Sequence, residues 1–475
     1  MTTIVAGGAL ASLVAADALA SQGRRVVLLT EGPHAGGHFA GLYADGVPFD
    51  RGLVALELGA DGARHDSDLA SYDPDLRSDC ARFGDLVRRW VERDLRLPLT
   101  RIPAVELWHD GTVVPDFLFD TNVHGLAALP GPVRERIAAD LVSLPADRES
   151  MLHASEKQDG GLWDTLDIEV ASLANHGRTL HERFIAPMLR KLVGLHGAPR
   201  CLARHSRVVA APMYWPETVR RGLQGDRTAM AATPLHVVAR GATSELVARL
   251  RQRLETSPLV SWRDGTITRV APSVSGVAVT MDGVIIEGHE LVWGGELAAF
   301  CRVAGQSEPE PLDRERLDVA CVTIDRLSCR RPETGTLMIP AGVSLPFRLV
   351  NQSVNAGEEN GRMRLTLEYT AGVLPSEGDL AASKVADALL TLGMVADPSS
   401  VRLHHVARLA HGFTVPSFVN QARALVARGD ARDAGVPVRM VGPAAGFNVN
   451  SLGDQVVQGL QAAALCADAT SAVAA

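Results

Sequence analysis

The residues with the clearest chemical spacing stand at the start of the chain, where an apolar strand runs into a turn of small residues. Gly7 takes the first position of a dinucleotide-binding fingerprint, with Ala9 at the second and Ser12 at the third. Glycine normally fills these positions because the first backbone amides of the following helix must approach a pyrophosphate closely. The methyl group of Ala9 would push a phosphate outward, so the fingerprint is degenerate. The pattern still predicts a dinucleotide site that begins at Gly7 and Gly8.

Further candidates for the same site follow along the chain. A carboxylate normally ends the second strand, about 20 residues after the turn, and binds the ribose hydroxyls. Thr30 stands at that position and Glu31 comes next, so both are candidate ribose contacts. A double glycine, Gly36 and Gly37, then opens a loop, and His38 follows it directly. We expect this loop to lie beside the bound dinucleotide.

A strand, a glycine and a helix near the C-terminus offer a second set of candidate contacts. The strand ends at Gly442, and Asn450, Leu452 and Asp454 belong to the turn and cap before the last helix. Asn and Asp side chains accept hydrogen bonds from the first amides of a helix, and a helix N-terminus attracts phosphate. Asn450 and Asp454 are therefore available to cap the last helix, and the resemblance described below implies that Gly442, Asn450, Leu452 and Asp454 contact the cofactor.

These candidates depend on a strand–helix–strand unit in residues 2–30, where an Ala- and Leu-rich helix joins two apolar strands. Residues 83–200 are mainly helical by their hydrophobic period and suggest an inserted cap. Short strands between 259 and 293 form a meander, and a second strand-rich block spans 320–369. The order of these elements predicts an α/β protein.

Composition limits the classes of function that remain. At 475 residues the chain is long enough for two or three domains, and 46% hydrophobic with 21% charged residues describes a globular protein. The net charge is −8 and no basic stripe is interleaved with aromatic residues, so nucleic acid is not an expected partner. The six cysteines lack zinc-ligand spacing, which favours buried thiols in the cytoplasm and no metal site. We also expect no signal peptide and no membrane span.

The N-terminal unit, the double-glycine loop, the hairpin that carries Asp50 and Gly52, and the C-terminal strand–glycine–helix resemble a large flavoprotein group. This group contains amine oxidases, phytoene desaturases and protoporphyrinogen oxidases. Within it the chain is most similar to the UDP-galactopyranose mutases. Three stretches carry this narrower resemblance, namely residues 213–218, residues 347–353 together with Glu368 and Tyr369, and residues 450–457.

The resemblance implies a Rossmann-like FAD-binding domain, of the second glutathione-reductase group, and a discontinuous α+β substrate domain. The FAD-binding domain would comprise residues 1–60, 225–300 and 400–475. The substrate or cap domain would comprise residues 61–224 and 301–399. The active site is then expected between the two domains, where the flavin ring emerges.

The resemblance also implies two catalytic candidates. Arg348 would face a substrate diphosphate beside the flavin, and arginine binds phosphate oxygens bidentately. The alternative is an ordinary arginine on a surface strand. His38 would lie near the isoalloxazine, and the alternative is a loop histidine with no part in the chemistry.

Four more residues are candidate substrate contacts. Tyr214 and Trp215 would stack on a base or sugar, and the alternative places both in the core of the cap. Asn351 and Tyr369 complete the predicted substrate set, because they flank Arg348 and Glu368 in the stretches that carry the resemblance.

The function implied is a FAD-dependent enzyme that acts on a small anionic substrate such as a nucleotide sugar. A mutase of this kind is an isomerase, in which reduced flavin attacks the sugar and the reaction has no net redox change. Residues 53–56 are apolar where the mutases have a histidine, so two alternatives stay open. One is a FAD-dependent oxidoreductase of the amine oxidase or desaturase type. The other is a protein that kept the fold, lost FAD, and serves binding or non-redox chemistry. A homodimer is one open form of assembly.

Overall fold

The structure is a computed structural model in which residues 2–32, 35–59, 65–74, 79–119, 122–144, 166–197, 201–205, 209–230, 234–359, 361–447 and 451–473 are described. Its strands are, in chain order, β1 Thr2–Ala6, β2 Arg25–Thr30, β3 Leu42–Ala44, β4 Val47–Phe49, β5 Leu56–Glu57, β6 Leu99–Arg101, β7 Glu106–His109, β8 Thr112–Pro115, β9 Leu235–Val238, β10 Val260–Asp264, β11 Ile267–Ser273, β12 Gly276–Met281, β13 Val284–Gly288, β14 Glu290–Trp293, β15 Arg314–Asp325, β16 Thr336–Met338, β17 Arg348–Asn351, β18 Arg362–Thr370, β19 Val401–Thr414 and β20 Val438–Met440.

The α-helices of the described residues are α1 Leu10–Ser21, α2 Gly84–Arg89, α3 Gly131–Val142, α4 Ile168–Leu180, α5 Ala186–Gly197, α6 Pro216–Leu223, α7 Glu245–Thr256, α8 Leu297–Val303, α9 Gln352–Asn355, α10 Gly378–Thr391, α11 Phe418–Asp433 and α12 Leu452–Val473. None of these helices is long and apolar enough to cross a membrane.

A parallel sheet of five strands, in the order β10-β2-β1-β14-β20, forms the first layer. Its inner strands are apolar and largely buried, as expected for a parallel sheet that is covered on both faces. One face packs against α1, α7 and α12, and the other against α8 and the antiparallel meander of β11, β12 and β13. The β1–α1–β2 unit is thus the start of a Rossmann-like fold, and the predicted α/β class is confirmed.

A second sheet of seven strands has the order β19-β15-β18-β17-β16-β7-β8. Helix α10 packs on one of its faces, and the helical region of α3, α4, α5 and α6 packs on the other. Within the sheet, Arg348 of β17 pairs in register with Glu368 of β18. The pairing of β17 with β18 therefore places two charged residues side by side on the face that turns toward the first loops of the chain.

The strand pairing corrects one predicted domain boundary. Residues 400–475 were assigned to the cofactor domain, but β19 pairs antiparallel with β15 at the edge of the seven-stranded sheet. The chain therefore returns to the first sheet only after Thr414, through α11 and β20. A small sheet in the order β5-β9-β6 also joins segments that were assigned to different domains. Strand pairing between distant segments decided both outcomes.

Within the predicted helical region of residues 83–200, the helix around Pro187 is irregular. A π-helical turn at His181–Ile185 separates α4 from α5, directly ahead of Pro187. Proline has no N–H to donate, which favours an irregular turn at this point. Gly177 and Gly194, with φ of 77° and 66°, interrupt the helical conformation on either side.

Helices α1 and α12 cross at very short distance because Gly459 has no side chain. A Cβ atom added to Gly459 would lie 2.6 Å from the carbonyl oxygen of Ala11 and 2.6 Å from the Cβ of Val14. Both residues belong to α1, which also carries the fingerprint turn at its N-terminus. The position of the last helix against this turn therefore depends on the bare backbone of Gly459.

We expect Gly459→Ala to destabilise the protein by about 1–3 kcal/mol, because the added methyl group must push α12 away from α1. The measurement is the free energy of unfolding in urea. Gly429→Ala is the matched control, since Gly429 also lies inside a helix and an added Cβ meets nothing within 4 Å. This control should be neutral or stabilising by up to about 1 kcal/mol, as alanine favours helix. Equal effects of the two substitutions would contradict the close-packing argument.

Candidate functional site

The fingerprint turn keeps the geometry of a dinucleotide site despite its substituted glycines. Gly7 has φ of +110°, and a Cβ added there would lie 2.5 Å from the backbone nitrogen of Gly295. The hydroxyl of Ser12 is buried against Gly294, just beyond the end of β14, in space that a side chain on Gly294 would fill. Ser12 therefore stands where the fingerprint has its third glycine, and Gly294, which faces it, supplies the missing space. Helix α1 can still approach the sheet closely.

The first turn of α1 has an unexpected partner in the last helix. The backbone N–H of Ala11 donates to Oε1 of Gln455 at 3.1 Å. The Nε2 group of Gln455 has no acceptor among the described residues. It is therefore an additional side-chain donor beside the first turn of α1.

The segment after β20 closes on the same turn. Gly442 has φ of +62°, and a Cβ added to it would lie 3.0 Å from the Cβ of Ala9. Its N–H donates to Oε1 of Gln458 at 2.7 Å. Gly442 and Ala9 are therefore neighbours in space, as the sequence predicts for two parts of one site.

The ribose end of the site differs from the prediction. The hydroxyl of Thr30 is held between Trp262 and Asp264, accepting from Nε1 of Trp262 at 2.9 Å. Glu31 accepts a hydrogen bond from the backbone N–H of Ile267 at 2.9 Å. Asp264 is exposed at the end of β10, in register with Thr30. Asp264 also accepts from the N–H of Gly32 at 2.7 Å. The structure thus adds an exposed carboxylate on the neighbouring strand to the two predicted ribose contacts.

The double-glycine loop connects the fingerprint turn to the second sheet. The N–H of Gly36 donates to the carbonyl oxygen of Gly8 at 2.7 Å, and a side chain at Gly36 would collide with Val247 of α7. Gly37 also has a positive φ, of +56°, with open space around its Cα. The loop is thus anchored at Gly36 and extends toward His38.

His38 is neutral at pH 7. Its side chain is accessible to solvent, yet desolvation by the surrounding protein lowers the pKa of the imidazole to about 4. The carboxylate of Glu368 raises this pKa, and the guanidinium groups of Arg51 and Arg348 lower it. These four residues therefore interact electrostatically, and we refer to them together as the polar cluster.

The centre of the polar cluster is a bidentate ion pair. Arg348 donates from Nε and Nη2 to the two carboxylate oxygens of Glu368, each at 2.7 Å. The side chain of Glu368 is only 5% exposed. It also accepts from the N–H of Leu53 at 3.2 Å, and it fills the space where a side chain on Gly52 would stand. A side chain larger than that of Gly52 would therefore collide with the carboxylate of Glu368.

Asp50 and Gln352 fix the hairpin end that carries Arg51. The carboxylate of Asp50 accepts from the N–H groups of Thr243 and Ser244 at 2.8 and 2.7 Å, at the start of α7. The side-chain amide of Gln352 both donates to and accepts from the backbone of Asp50. Between these anchors, Nε of Arg51 is buried and has no hydrogen-bond partner in the described part of the chain. Arg51 therefore brings an uncompensated guanidinium to the cluster.

Tyr369 lies outside the cluster, which corrects the predicted substrate contact. Successive side chains of a strand point to opposite faces, so Tyr369 and Glu368 are on different sides of β18. Tyr369 is fully buried in the core beneath α10, and burial raises the pKa of its phenol.

Tyr214, Trp215 and Asn351, the other predicted substrate contacts besides Arg348, have positions or hydrogen bonds within the protein itself. Tyr214 is buried and its hydroxyl donates to the carbonyl oxygen of Phe117 at 2.6 Å. Trp215 is half-buried at the N-cap of α6. The side chain of Asn351 is buried and caps α9 by accepting from the N–H of Val354 at 3.2 Å. Core placement, the alternative for Tyr214, fits this arrangement best.

The cap of the last helix makes internal contacts. Asp454 and Ser451 form a capping box, in which the hydroxyl of Ser451 donates to the carboxylate at 2.6 Å and accepts from the N–H of Asp454. Burial raises the pKa of Asp454, and Leu452 is buried in the core. Both side chains are therefore engaged within the protein, and their contact with a cofactor stays a prediction. Asn450 lies outside the described residues.

Four residues that the sequence did not single out belong to the site, and each had a signal. Glu368 belongs to a stretch that carries the resemblance, and Arg51 lies between Asp50 and Gly52 of the hairpin. Gln455 follows the capping box directly. Asp264 is an acid two residues beyond the predicted strand of residues 259–262, and only the register of β10 with β2 places it beside Thr30.

Comparisons with known proteins agree with this architecture. A family model for an NAD(P)-binding Rossmann-like domain matches residues 5–67. The crystal structure of a reduced UDP-galactopyranose mutase superposes with a TM-score of 0.69 at 15% identity, covering 99% of this chain and 94% of that one. The chain has the fold of that protein.

Two amine oxidases extend the likeness. Cyclohexylamine oxidase from Brevibacterium oxydans IH-35A superposes with a TM-score of 0.58 at 14% identity, covering 99% of each chain. A double mutant of putrescine oxidase, made to redesign its cofactor binding, has a TM-score of 0.58 at 14% identity and covers 99% of this chain and 100% of that one. By sequence alone, no curated protein matches. The predicted Rossmann-like fold with its second domain is confirmed.

We expect Arg348→Gln to destabilise the protein by about 3–5 kcal/mol, because it leaves the buried carboxylate of Glu368 without its cation. The free energy of unfolding in urea gives the measurement. Arg362→Gln is the matched control, since Arg362 pairs with Asp325 at 3.1 Å while both side chains are about half exposed. That control should change stability by less than about 1 kcal/mol. If the two variants lost the same stability, the buried pair would not hold the cluster together.

Proposed function

We propose that the protein is a FAD-dependent enzyme whose reaction takes place at the polar cluster. The observation that carries the proposal is the double-glycine loop. One end of the loop is hydrogen-bonded to the fingerprint turn through Gly36 and Gly8. At its other end, the charges of Arg51, Arg348 and Glu368 shift the pKa of His38. A dinucleotide bound at the turn and a substrate bound at the cluster would therefore be neighbours.

The residues at the turn fit the parts of FAD. The first amides of α1 and the Nε2 group of Gln455 offer donors for a pyrophosphate. Asp264 offers a carboxylate for ribose hydroxyls. When bound, FAD supplies hydride acceptance or, in its reduced form, a nucleophile, which none of the cluster side chains can supply. This chain would contribute binding, orientation and charge.

The substrate that suits the cluster is small, polar and anionic, such as a nucleotide sugar. Two guanidinium groups, of Arg51 and Arg348, face a single carboxylate, so the cluster has a net positive charge while His38 is neutral. The Nε donor of Arg51 has no partner among the described residues. A phosphate oxygen is a strong acceptor for such a donor. The likeness to the mutase supports a mutase-type reaction on such a substrate.

An oxidoreductase of the amine oxidase type is the second candidate. Glu368 already binds Arg348 through both carboxylate oxygens, so a diphosphate would meet only Arg51 as an unpaired cation. The amine oxidases among the similar structures support this candidate as well. In this case the cluster would orient an uncharged substrate, and the reaction would consume an electron acceptor.

The absorption spectrum of the purified protein is the first test. Flavin bands in the visible range, either as purified or after addition of FAD, are the expected result. Protein that stays colourless after FAD is added would overturn the proposal. Turnover of UDP-galactose only after reduction with dithionite would support the mutase, whereas oxygen consumption with release of peroxide from an amine would support the oxidase.

We expect Gln455→Ala to weaken FAD binding about tenfold, since it removes one hydrogen bond to a charged phosphate. The dissociation constant follows from the quenching of flavin fluorescence. Gln461→Ala is the control on the same helix, because Gln461 bonds to the carbonyl oxygens of Leu69 and Tyr72, away from the turn. Affinity within about twofold of the original protein is expected for this control. Tighter binding by Gln455→Ala would show that Gln455 competes with the phosphate.

A further inference from the structure

A cavity lies between α8 and α11, on the face of the parallel sheet that also carries the meander of β11, β12 and β13. Its volume is about 730 Å³, within the range of small-molecule sites. Helices α8 and α11, the start of β15 and the segment of residues 443–447 form its walls. It shares no lining residue with the polar cluster or with the turn from Gly7 to Ser12. The proposed enzyme reaction makes no use of this cavity.

The walls of the cavity carry an unusual concentration of guanidinium groups. Five arginines line it against only two glutamates, Glu296 and Glu310. The arginines are Arg302, Arg314, Arg316, Arg423 and Arg428. In a protein whose net charge is −8, such a local excess of positive charge favours an anionic ligand.

The carboxylates that pair with these arginines are poorly placed to neutralise them. Three of the arginines have carboxylate partners, and each partner side chain is more than half exposed. They are Glu296 with Arg314 (53%), Glu308 with Arg302 (58%), and Glu310 (73%) and Asp313 (59%) with Arg423. Exposed ion pairs of this kind contribute less than about 1 kcal/mol, so an anionic ligand can displace them at low cost. Arg316 has no carboxylate within ion-pair distance in the described part of the chain.

The remaining lining is apolar. Leu297, Leu312 and Phe447 contribute to the walls, together with alanines and prolines. A purely ionic ligand such as free phosphate would leave this apolar surface in contact with water. The combination of arginines and apolar walls matches a ligand that has one anionic end and one apolar body.

We propose that this cavity is a separate binding site for a small molecule that joins an anionic group to an apolar body. The arginines bind the anionic group, and the apolar walls of α8, α11 and residues 443–447 cover the rest. The segment of residues 443–447 directly follows Gly442, which lies beside Ala9 at the fingerprint turn. One short segment therefore joins the cavity wall to the fingerprint turn.

The test uses 8-anilinonaphthalene-1-sulfonate as the probe, because it joins a sulfonate to an aromatic body. Binding is measured by calorimetry and fluorescence on the full chain. N-phenyl-1-naphthylamine, which lacks the sulfonate, and inorganic pyrophosphate, which lacks the apolar body, are the comparison ligands. We expect the sulfonate probe to bind one site per chain, and pyrophosphate to bind at least about tenfold more weakly.

The double variant Arg316→Gln with Arg423→Gln should weaken binding of the sulfonate probe at least about tenfold. The neutral probe should bind this variant as it binds the original protein. The matched control is Arg362→Gln with Arg402→Gln, which removes two exposed arginines outside the cavity. Its affinity for the sulfonate probe should stay within about twofold. Equal losses in the two double variants, or no loss in either, would overturn the proposal.

A third variant tests the cavity by shape without changing charge. Ala298→Trp places a large side chain from α8 into the cavity, so both aromatic probes should lose binding. Circular dichroism and the unfolding midpoint establish that each variant is folded. If folded Ala298→Trp protein binds the sulfonate probe with the original affinity, the probe does not occupy this cavity and the proposal fails.

Discussion

The close approach of backbone to backbone around the fingerprint turn is the constraint on which the rest of the structure depends. Three elements, α1, α12 and the end of β14, meet there at distances that only glycine permits. Gly7 faces Gly295, Ser12 faces Gly294, and Gly459 faces the backbone of α1. The helix N-terminus can present its amides to a phosphate only while these contacts are kept. The degenerate fingerprint is tolerated because the space that the side chain of Ser12 takes up is left free by Gly294 opposite it.

The polar cluster shows how hydrogen bonds from neighbouring elements orient buried charges. Glu368 is oriented by the two nitrogen donors of Arg348 and by the backbone of Leu53, and Gly52 makes room for it. Asp50 and Gln352 fix the hairpin on the other side of Arg51. Buried ion pairs of this kind add little net stability, but they are costly to break, so they favour one arrangement. A substrate would meet preorganised charges.

The two sites of the molecule differ in the kind of positive charge they offer. In the polar cluster one arginine is neutralised by a buried carboxylate, and one is not. In the cavity between α8 and α11, Arg302, Arg314 and Arg423 are paired with exposed carboxylates. The first arrangement suits recognition of a defined substrate geometry, and the second suits electrostatic attraction. The segment that begins at Gly442 lies next to Ala9 and also lines the cavity.

Local patterns in the sequence were sufficient for the β1–α1–β2 unit, the meander and the last strand and helix, because strand and helix periods depend on neighbouring residues. They also identified the turn at Gly7, the double glycine and Arg348. Tertiary structure alone decided which distant residues meet. The register of β10 with β2 brought Asp264 beside Thr30, and the pleat of β18 turned Tyr369 into the core while Glu368 faced Arg348. Strand pairing also carried β19 into the second sheet. Such pairings join residues far apart in sequence, so no local pattern encodes them.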